Sequence, residues 1–255
     1  MSRALIGHSG FVGGNLRRQV GFDRLFNSAN FRDMAGGDFD LVVCAGLPAA
    51  KWLANQDPVK DRANMLALAQ TLETVRARRF VLISTIDVYP LVPGLDEDFD
   101  CRGVAGRHAY GAHRLEFEDA VRRRFETVHV VRLPGLFGDG LKKNVIFDLL
   151  HDNCLEAIAP ASALQWYGIG RLWTDIGRVV EAGLELCNLF TEPITTGDII
   201  DRFFPQKSVG GAAAPAVHYD LRTRHGAVFG SPVTGYARSR RQVMDDLGAW
   251  LADAR

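Results

Sequence analysis

Short apolar runs alternate with longer amphipathic stretches along the first half of the chain. The runs predict five strands, most of them rich in Val, Ile and Leu, at residues 3–6, 23–27, 39–45, 79–83 and 127–133. Helical spacing of apolar residues predicts helices at 15–20, 61–76, 110–124, 141–151, 173–188 and 237–254. Strands that alternate with helices indicate a parallel sheet covered by helices. The pattern therefore predicts an α/β fold with a doubly wound parallel sheet.

Composition argues against several kinds of partner. The chain has 255 residues, and its 30 Lys+Arg balance 30 Asp+Glu, so no net charge attracts nucleic acid or an anionic membrane. No apolar run approaches the roughly 20 residues needed to span a bilayer, and the chain opens on a strand pattern rather than a leader. The four cysteines lack C-x-x-C spacing, which argues against a metal site and for reduced thiols. We therefore expect a cytoplasmic protein that acts on a small molecule, with no metal, nucleic-acid or membrane partner.

A glycine-rich turn joins the first predicted strand to the first helix. In such a turn the first glycine permits a tight bend, the second lets a pyrophosphate approach the backbone, and the third allows close packing of helix on strand. The helix N-terminus adds free N–H groups and a partial positive charge. The turn therefore predicts a dinucleotide site, with Gly7, Ser9, Gly10, Phe11, Val12 and Gly13 as its candidate residues.

The end of the second predicted strand bears on which dinucleotide binds. An Asp or Glu about 20 positions after the glycines holds the ribose 2′-hydroxyl of NAD, but this chain has Asn27 there. Without a carboxylate to repel a 2′-phosphate, and with Arg17 and Arg32 nearby in sequence, NADP is as well supported as NAD. Both arginines are equally consistent with solvated surface positions, so the choice stays open.

Several further segments resemble those of the extended short-chain dehydrogenase/reductase family, in particular its NAD-dependent epimerase/dehydratase group, which acts on nucleotide sugars. The glycine spacing is that of the extended family, and Ala45-Gly46 is similar to the end of its third-strand motif. The letters ISTIDVY at 83–89 are similar to its Ser-Ser/Thr-x-x-Val-Tyr segment, and the segment around Pro134 resembles the wall beside the nicotinamide. The likeness covers nearly the whole chain.

The resemblance implies roles for individual residues. Thr85 lies at the position of the catalytic Ser/Thr, and Tyr110 lies at that of the catalytic tyrosine, the general acid/base. Asn27, Ala45, Gly46 and Pro134 are expected at the cofactor, which is NAD or NADP. The helices predicted at 61–76 and 110–124 resemble those that form a four-helix dimer interface, so a homodimer is expected.

The catalytic pair departs from the family pattern. The family has Tyr-x-x-x-Lys, whereas this chain has Tyr110 followed by His113 and Arg114. Arg114 stands four positions on, on the same helix face, and keeps a positive charge beside the phenol. A guanidinium stays protonated, however, and cannot shuttle a proton as an ammonium does. Histidine is the side chain best suited to carry protons near neutral pH, so His113 can join a proton relay, or it points to solvent or caps a local contact.

Candidate substrate groups lie at four places. Lys143 and Asn144 resemble the family's segment at the nucleotide-sugar diphosphate, and Arg171 belongs to a segment similar to its arginine-plus-Asp motif. Lys51 follows the third strand, where loops at the carboxyl ends of parallel strands line the crevice, and it is a candidate for the missing ammonium. Asp87 of the 83–89 segment completes the set.

These observations predict a Rossmann core at residues 1–135 and, at 136–255, a segment that completes the core and forms a small substrate-covering lobe. The lobe's small size suggests a ligand smaller than a full nucleotide sugar, or a site completed by a neighbouring subunit. We expect hydride transfer at a hydroxyl or carbonyl carbon of a sugar, nucleotide sugar or similar metabolite, by a reductase, epimerase or dehydratase. A dinucleotide-binding sensor or scaffold with a decayed site is the alternative, because the lysine is missing.

Overall fold

The computed structural model describes residues 2–211 and 215–254, and they form two compact units that interleave along the chain. The first unit contains the residues up to Pro90, Glu97–Leu133 and Arg171–Asn188, and the second contains Leu91–Asp96, Pro134–Gly170 and the residues from Leu189 onward. A segment of the second half of the chain, 171–188, thus belongs to the first unit. The expected division of tasks between a cofactor half and a substrate half stays a prediction.

The elements of the described residues are as follows. The strands are β1 (Arg3–Ile6), β2 (Arg24–Phe26), β3 (Asp38–Cys44), β4 (Arg76–Thr85), β5 (Val128–Leu133), β6 (Gly135–Phe137), β7 (Ala163–Leu164), β8 (Trp166–Gly168), β9 (Leu186–Asn188) and β10 (Ile194–Thr195). The helices are α1 (Phe11–Gln19), α2 (Lys51–Gln56), α3 (Pro58–Leu72), α4 (Ala109–Arg124), α5 (Val145–His151), α6 (Leu172–Glu181), α7 (Thr196–Phe203) and α8 (Arg240–Ala254).

The first unit is built on a six-stranded parallel sheet in the order β2-β1-β3-β4-β5-β9. The chain moves from β1 out to β2 and then crosses to β3 on the other side of β1, so the strand order reverses between β1 and β3. In open α/β sheets, ligands bind outside the carboxyl ends of the strands at such a reversal. The predicted doubly wound parallel sheet is confirmed, and its topology points to the turn after β1.

The predicted helix at 173–188 is wrong over its last residues. Helix α6 ends at Glu181, and Gly183 then turns the chain with a φ of +65°. Leu186–Asn188 forms β9, which pairs in parallel with β5 at the edge of the sheet. A strand of three residues is too short to show an alternation of apolar and polar residues, so the apolar spacing predicts a helix through it.

Helix boundaries shift where a side chain caps the helix. The Asp57 carboxylate accepts from the Lys60 N–H at 3.0 Å, and Pro58 follows in the first turn, so α3 begins three residues before the predicted start at 61. Asn144 caps α5 in the same way, and this helix begins at Val145 instead of 141. The short helices α2 and α7 were not predicted.

A network of buried polar side chains joins α4 to the sheet. The Glu118 carboxylate accepts from Arg132 Nη2 at 2.6 Å and from the Ser84 hydroxyl at 2.5 Å. All three side chains are buried, and the guanidinium of Arg132 also lies over the Tyr89 ring, at 4.9 Å from its centroid. Since Ser84 directly precedes Thr85, this network fixes α4 next to the end of β4.

The second unit has a core of its own. Strand β6 pairs in parallel with β8, and β7 pairs in antiparallel fashion with β10. Its apolar cluster includes Phe137, Leu149, Trp166, Ile199 and Leu247, contributed by strands and by α5, α7 and α8. None of the helices in the described part of the chain has the length and apolar character required to cross a membrane.

Helix α3 is one of the two helices expected at a homodimer interface, and it exposes apolar side chains. Pro58, Val59 and Leu66 line an apolar groove together with the His113 side chain, and Val59 and Leu66 are exposed. The homodimer stays a prediction.

We expect Glu118→Gln to destabilise the first unit strongly, because it leaves the buried Arg132 cation without its carboxylate. Removing one partner of a buried ion pair costs about 3–5 kcal/mol, which urea unfolding measures as a loss in the free energy of unfolding. Glu116→Gln is the matched control on the same helix, since Glu116 forms an exposed pair with Arg62. Equal urea midpoints for the two variants would contradict this account.

Candidate active site

Two glycines of the turn after β1 are required by the chain's own packing. Gly7 has a φ of +86°, and a Cβ there would lie 2.3 Å from the carbonyl oxygen of Ala45. A Cβ on Gly13 would lie 2.1 Å from the carbonyl oxygen of Gly7. Both distances are too short for any side chain, so these glycines hold β1, β3 and α1 together whether or not a ligand binds.

Gly10 differs from its two neighbours in the motif. It has an ordinary φ of −80°, and the nearest atom to an added Cβ is 3.4 Å away. Gly10 is exposed and is the N-cap of α1, where it has no side chain with which to cap the helix. Ser9 is also exposed, and Phe11 and Val12 are half-buried in the first helical turn. An open backbone at an uncapped helix N-terminus fits the diphosphate of a dinucleotide.

The turn packs on the neighbouring strand ends at the reversal point of the sheet. The N–H of Gly7 donates to the Phe26 carbonyl at the end of β2, at 2.7 Å, and the N–H of Ala45 donates to the Ile6 carbonyl at 2.9 Å. Gly46, two residues beyond β3, lets the chain pass Ile6, because a Cβ there would lie 2.7 Å from the Ile6 side chain. The structure therefore brings Ala45 and Gly46 beside the glycine turn. Pro134 is buried and is the first residue of the 134–170 segment of the second unit.

The turn after β2 has no carboxylate at the position where NAD-binding proteins have an Asp or Glu, and the neutral Asn27 stands there. The Asn27 side chain accepts from the Ala29 N–H at 2.9 Å, so it stabilises its own loop. Arg32 lies over the ring of Phe31, with its guanidinium carbon 4.7 Å from the ring centroid. Arg17 reaches back from α1 to the glycine turn, where its Nη1 lies 3.4 Å from His8 Nδ1.

Thr85 and Tyr110 meet at the carboxyl end of β4. The Thr85 side chain is close enough to lower the pKa of Tyr110, and the N–H of Tyr110 donates to Asn55 Oδ1 of α2 at 3.0 Å. Gly111 permits the contact, because an added Cβ would lie 2.0 Å from the Asp87 carbonyl oxygen. The pair expected from the sequence is thus brought together by close packing of α4 on the turn after β4.

Arg114 is held by the protein rather than directed toward open space. Its two Nη atoms donate to both carboxylate oxygens of Asp61, at 2.6 and 3.0 Å, and also to the carbonyl oxygens of Tyr110 and Pro48. The guanidinium lies over the Tyr110 ring, 3.9 Å from its centroid, and the side chain is fully buried. His113 Nδ1 lies 2.8 Å from Asp61 Oδ2, so His113 does not simply point to solvent. Arg114 keeps a charge at the phenol but forms an internal clamp.

Burial raises the pKa of Tyr110 above its ordinary value, because the attraction of the Arg114 cation does not offset the cost of placing a phenolate in the protein interior. The carboxylate partner of Arg114 is affected in the opposite direction. Hydrogen bonds from Arg114 and His113 outweigh burial and lower the pKa of Asp61. Asp61 therefore stays a carboxylate at neutral pH, while Tyr110 stays a neutral phenol.

A second cluster adjoins the hydroxyl pair. Lys51 Nζ donates to Asp87 Oδ1 at 2.6 Å, and His108 Nε2 lies 3.8 Å from the same oxygen. The Thr85 hydroxyl accepts from the Asp87 N–H at 3.1 Å and lies 3.4 Å from Asp87 Oδ2. Burial and the nearby Lys51 cation lower the pKa of His108, which caps α4 by accepting from the Gly111 N–H at Nδ1.

The remaining substrate candidates have local partners. Asn144 has a φ of +123°, accepts from the N–H groups of Ile146 and Phe147, and donates to the Leu136 carbonyl, so its amide is engaged in capping α5. Lys143 is exposed beside it. Arg171, in the first unit, donates from Nε to the buried Asp175 at 2.9 Å. Lys51 and Asp87 therefore lie beside the Thr85–Tyr110 pair. Asn144 and Arg171 bond to other residues of the protein, and Lys143 lies next to Asn144.

Sequence reasoning missed three residues that shape this site. Asp61 clamps Arg114, Asn55 receives the Tyr110 N–H, and His108 caps α4 beside Asp87. His108 is the N-cap of α4, but histidine is not one of the usual N-cap residues, so the sequence pattern does not indicate this cap. Asp61 and Asn55 carry no local signal, because their partners lie more than 50 positions away in the chain.

No family model matches the sequence, and no curated protein matches it. Solved structures do match it over nearly its full length. A dTDP-4-dehydrorhamnose reductase from Clostridium acetobutylicum aligns with 100% of this chain and 99% of that chain, at 14% identity and a TM-score of 0.73. RMD from Pseudomonas aeruginosa, complexed with NADPH, aligns over 99% of both chains, at 19% identity and a TM-score of 0.72.

The solved structure of an epimerase also matches the chain over nearly its full length. UDP-glucose 4-epimerase from Thermotoga maritima, solved with UDP-glucose, aligns with 100% of this chain and 99% of that chain, at 11% identity and a TM-score of 0.69. The chain has the fold of these enzymes. The predicted Rossmann-type fold is thereby confirmed. The alignments span 99% of each of these three neighbours, and the expectation of a smaller ligand stays a prediction.

We expect Gly7→Ala and Gly13→Ala to destabilise the protein more than Gly10→Ala does. An added Cβ at Gly7 or Gly13 meets backbone atoms, and overpacking of this kind costs at least about 1–3 kcal/mol. At Gly10 the Cβ has space, and the expected cost is only that of alanine as a poorer N-cap residue, at most about 1 kcal/mol. Urea unfolding of the three variants measures the difference, and an unstable Gly10→Ala variant would contradict the assignment of an open cradle.

Proposed function

We propose that this protein is an NAD(P)-dependent enzyme that transfers a hydride at a hydroxyl or carbonyl carbon of a sugar, nucleotide sugar or similar small metabolite. The observation that carries the proposal is the Thr85–Tyr110 hydroxyl pair, placed at the carboxyl edge of the same sheet whose reversal point carries the open glycine turn. A protein that only binds a dinucleotide has no chemical need for such a pair. The enzymes that share the fold support the same class of reaction.

Each of these residues has a definite task in the proposed reaction. The free amides in the first turn of α1 bind the diphosphate, which can come close because Gly10 has no side chain, and Gly7 and Gly13 hold that turn in place. A bound nicotinamide supplies the hydride acceptor or donor. Tyr110 exchanges a proton with the substrate oxygen, and the Thr85 hydroxyl hydrogen-bonds the same oxygen. The Arg114 clamp orients the phenol ring from behind.

The substrate residues are proposed on a weaker basis. Lys51 and Asp87 adjoin the hydroxyl pair and present an ammonium and a carboxylate, which suit the hydroxyl groups of a sugar. Arg171 and Lys143 carry positive charges that suit a diphosphate, and Asn144 lies next to Lys143. UDP-glucose and NAD occur together in MoeE5, another structure of this fold, which aligns at 14% identity.

One observation favours the alternative of a dinucleotide-binding sensor. Both Nη groups of Arg114 are engaged by Asp61 and by backbone carbonyls. Arg114 therefore has no free Nη group with which to hold a nicotinamide ribose, as the family's lysine does. A sensor of this kind binds the cofactor and turns nothing over.

We expect the purified protein to bind NADH or NADPH and to change the cofactor's oxidation state with at least one member of a panel of nucleotide sugars. Tyr110→Phe keeps the ring over Arg114 but removes the proton, so cofactor binding persists and turnover falls by about 100- to 10,000-fold. Cofactor fluorescence follows both steps. Binding without turnover across the panel supports the sensor, and failure to bind either cofactor overturns the proposal.

We further propose that NADP(H) is bound in preference to NAD(H). No carboxylate stands at the end of β2, where Asn27 is found, and Arg17 reaches the glycine turn. Arg17→Ala is therefore expected to weaken NADPH binding by about 10-fold, the loss of one charge-assisted bond, and to leave NADH binding unchanged. Fluorescence titration with both cofactors measures the ratio, with exposed Arg62→Ala as control. Equal losses for the two cofactors would argue against a phosphate contact.

A further inference from the structure

His8 lies in the glycine turn, directly after its first glycine. The residue is half-buried, and its backbone N–H donates to the Phe26 carbonyl at the end of β2, at 3.3 Å. Asn27 follows Phe26, at the position where an Asp or Glu binds the ribose 2′-hydroxyl of NAD. The backbone of His8 is therefore fixed beside the place where the 2′ position of the adenosine ribose is recognised.

Arg17 reaches the imidazole of His8 from α1. Its Nη1 atom lies 3.4 Å from His8 Nδ1. A guanidinium has donors only, so the Nδ1 atom accepts in this contact, and the imidazole is neutral with its proton on Nε2. A protonated imidazole has no acceptor for Arg17. The contact between the two side chains therefore exists only while His8 carries no charge.

The surroundings of this pair contain no carboxylate that would explain it as an ion pair. Within the part of the chain that the structure describes, neither His8 nor Arg17 pairs with an Asp or Glu. The side chains on the elements around the turn are neutral or basic, and they are Arg17 and Arg18 on α1, Phe26, Asn27 and Arg32 at and after β2, and Ala45 after β3. Arg18 donates to Asn15 Oδ1, and Arg32 lies over the Phe31 ring. Two side chains that can both carry positive charge, with no carboxylate between them, suit an anion.

We propose that His8 and Arg17 together bind the 2′-phosphate of NADP(H), and that His8 takes up a proton from water when the phosphate binds. The proposal rests on the NADP(H) preference proposed above and adds a second residue and a proton to it. A phosphate monoester carries a charge of about −1.5 to −2 at pH 7 and has three acceptor oxygens. The phosphate can accept from the guanidinium and from a protonated imidazole at once, so it replaces the Nδ1 lone pair as the acceptor for Arg17.

The proton gives the cofactor preference a pH dependence of definite sign. Imidazole changes its charge between pH 5 and 8, and below about pH 6 the phosphate itself gains a proton. NADP⁺ binding is therefore expected to be tightest at about pH 6.5 and to weaken as the pH rises, because the complex needs a proton that becomes scarcer. We expect the NADP⁺ Kd to rise by about 10-fold between about pH 6.5 and 8, the effect of one charge-assisted bond. NAD⁺, which lacks the 2′-phosphate, should show no such rise.

Isothermal titration calorimetry with NADP⁺ and NAD⁺ tests the proton directly, since the two probes differ only in the 2′-phosphate. At about pH 7.5 the phosphate is mostly a dianion, so a proton that is taken up on binding goes to the protein. Binding heats in buffers of different ionisation enthalpy give the number of protons. We expect net uptake with NADP⁺ and none with NAD⁺. Equal uptake with both probes, or none with either, overturns the inference and leaves the cofactor preference to be read from the two Kd values.

Variants of His8 separate its charge from its proton. His8→Gln should abolish the uptake and weaken NADP⁺ binding at about pH 6.5 by about 10-fold, with NAD⁺ binding unchanged. His8→Arg carries a permanent cation, so it should bind NADP⁺ tightly, without uptake and without the rise in Kd. His151→Gln, which removes an exposed histidine of the second unit, is the matched control and should behave as wild type. Proton uptake that persists in His8→Arg assigns the proton to another group and overturns the inference.

The folded state of each variant is checked by thermal unfolding, and the binding results do not depend on turnover. NADP⁺ binding with proton uptake, but without turnover of any nucleotide sugar, overturns the enzymatic proposal and supports the His8 site. Turnover with NADPH together with a pH-independent NADP⁺ Kd supports the enzyme and overturns the inference. Failure to bind either cofactor overturns both.

Discussion

Helix α4 can dock on the sheet only where its buried polar side chains find partners. Tyr110, Arg114 and Glu118 follow one another at intervals of four residues, so they share one face of the helix. They meet Thr85, Asp61 and the Ser84–Arg132 pair, respectively. The helix cannot slide by one turn without leaving a charge buried and unpaired. The position of the phenol at the end of β4 therefore depends on charges far from the reacting atoms.

The buried ion pairs of α4 fix the position of the helix more than they add to the free energy of unfolding. Burying two charges costs several kcal/mol per ion, and a good ion pair roughly offsets that cost. An apolar face would hold α4 as tightly but would allow neighbouring registers. Gly111 adds a steric limit, because the backbone of α4 approaches the Asp87 carbonyl more closely than any Cβ allows. Charge and contact distance together fix one register.

The fold could be predicted from the sequence to a large extent, and the site only in part. Buried parallel strands are continuous apolar runs, so β1, β3 and β5 were found near their observed bounds, whereas β9 was too short to be distinguished from a helix. The glycine turn and the Thr85–Tyr110 pair follow from spacing along the chain. The Asp61–Arg114 clamp joins residues 53 positions apart, and a buried Asp on a helix looks like a solvated one in sequence. Partnerships of this kind are set by tertiary packing alone.

The arginine at the lysine position shows how one substitution redistributes the tasks of a site. A lysine ammonium is a compact charge on a flexible stem, whereas a guanidinium is a planar fork that a carboxylate can bind with both oxygens. Asp61 provides that carboxylate, and the fork is then fixed flat against the Tyr110 ring. The cation can still attract the phenolate, but it can neither move nor release a proton. Lys51 on α2 is another cation near this site, bound to Asp87, whose N–H donates to the Thr85 hydroxyl.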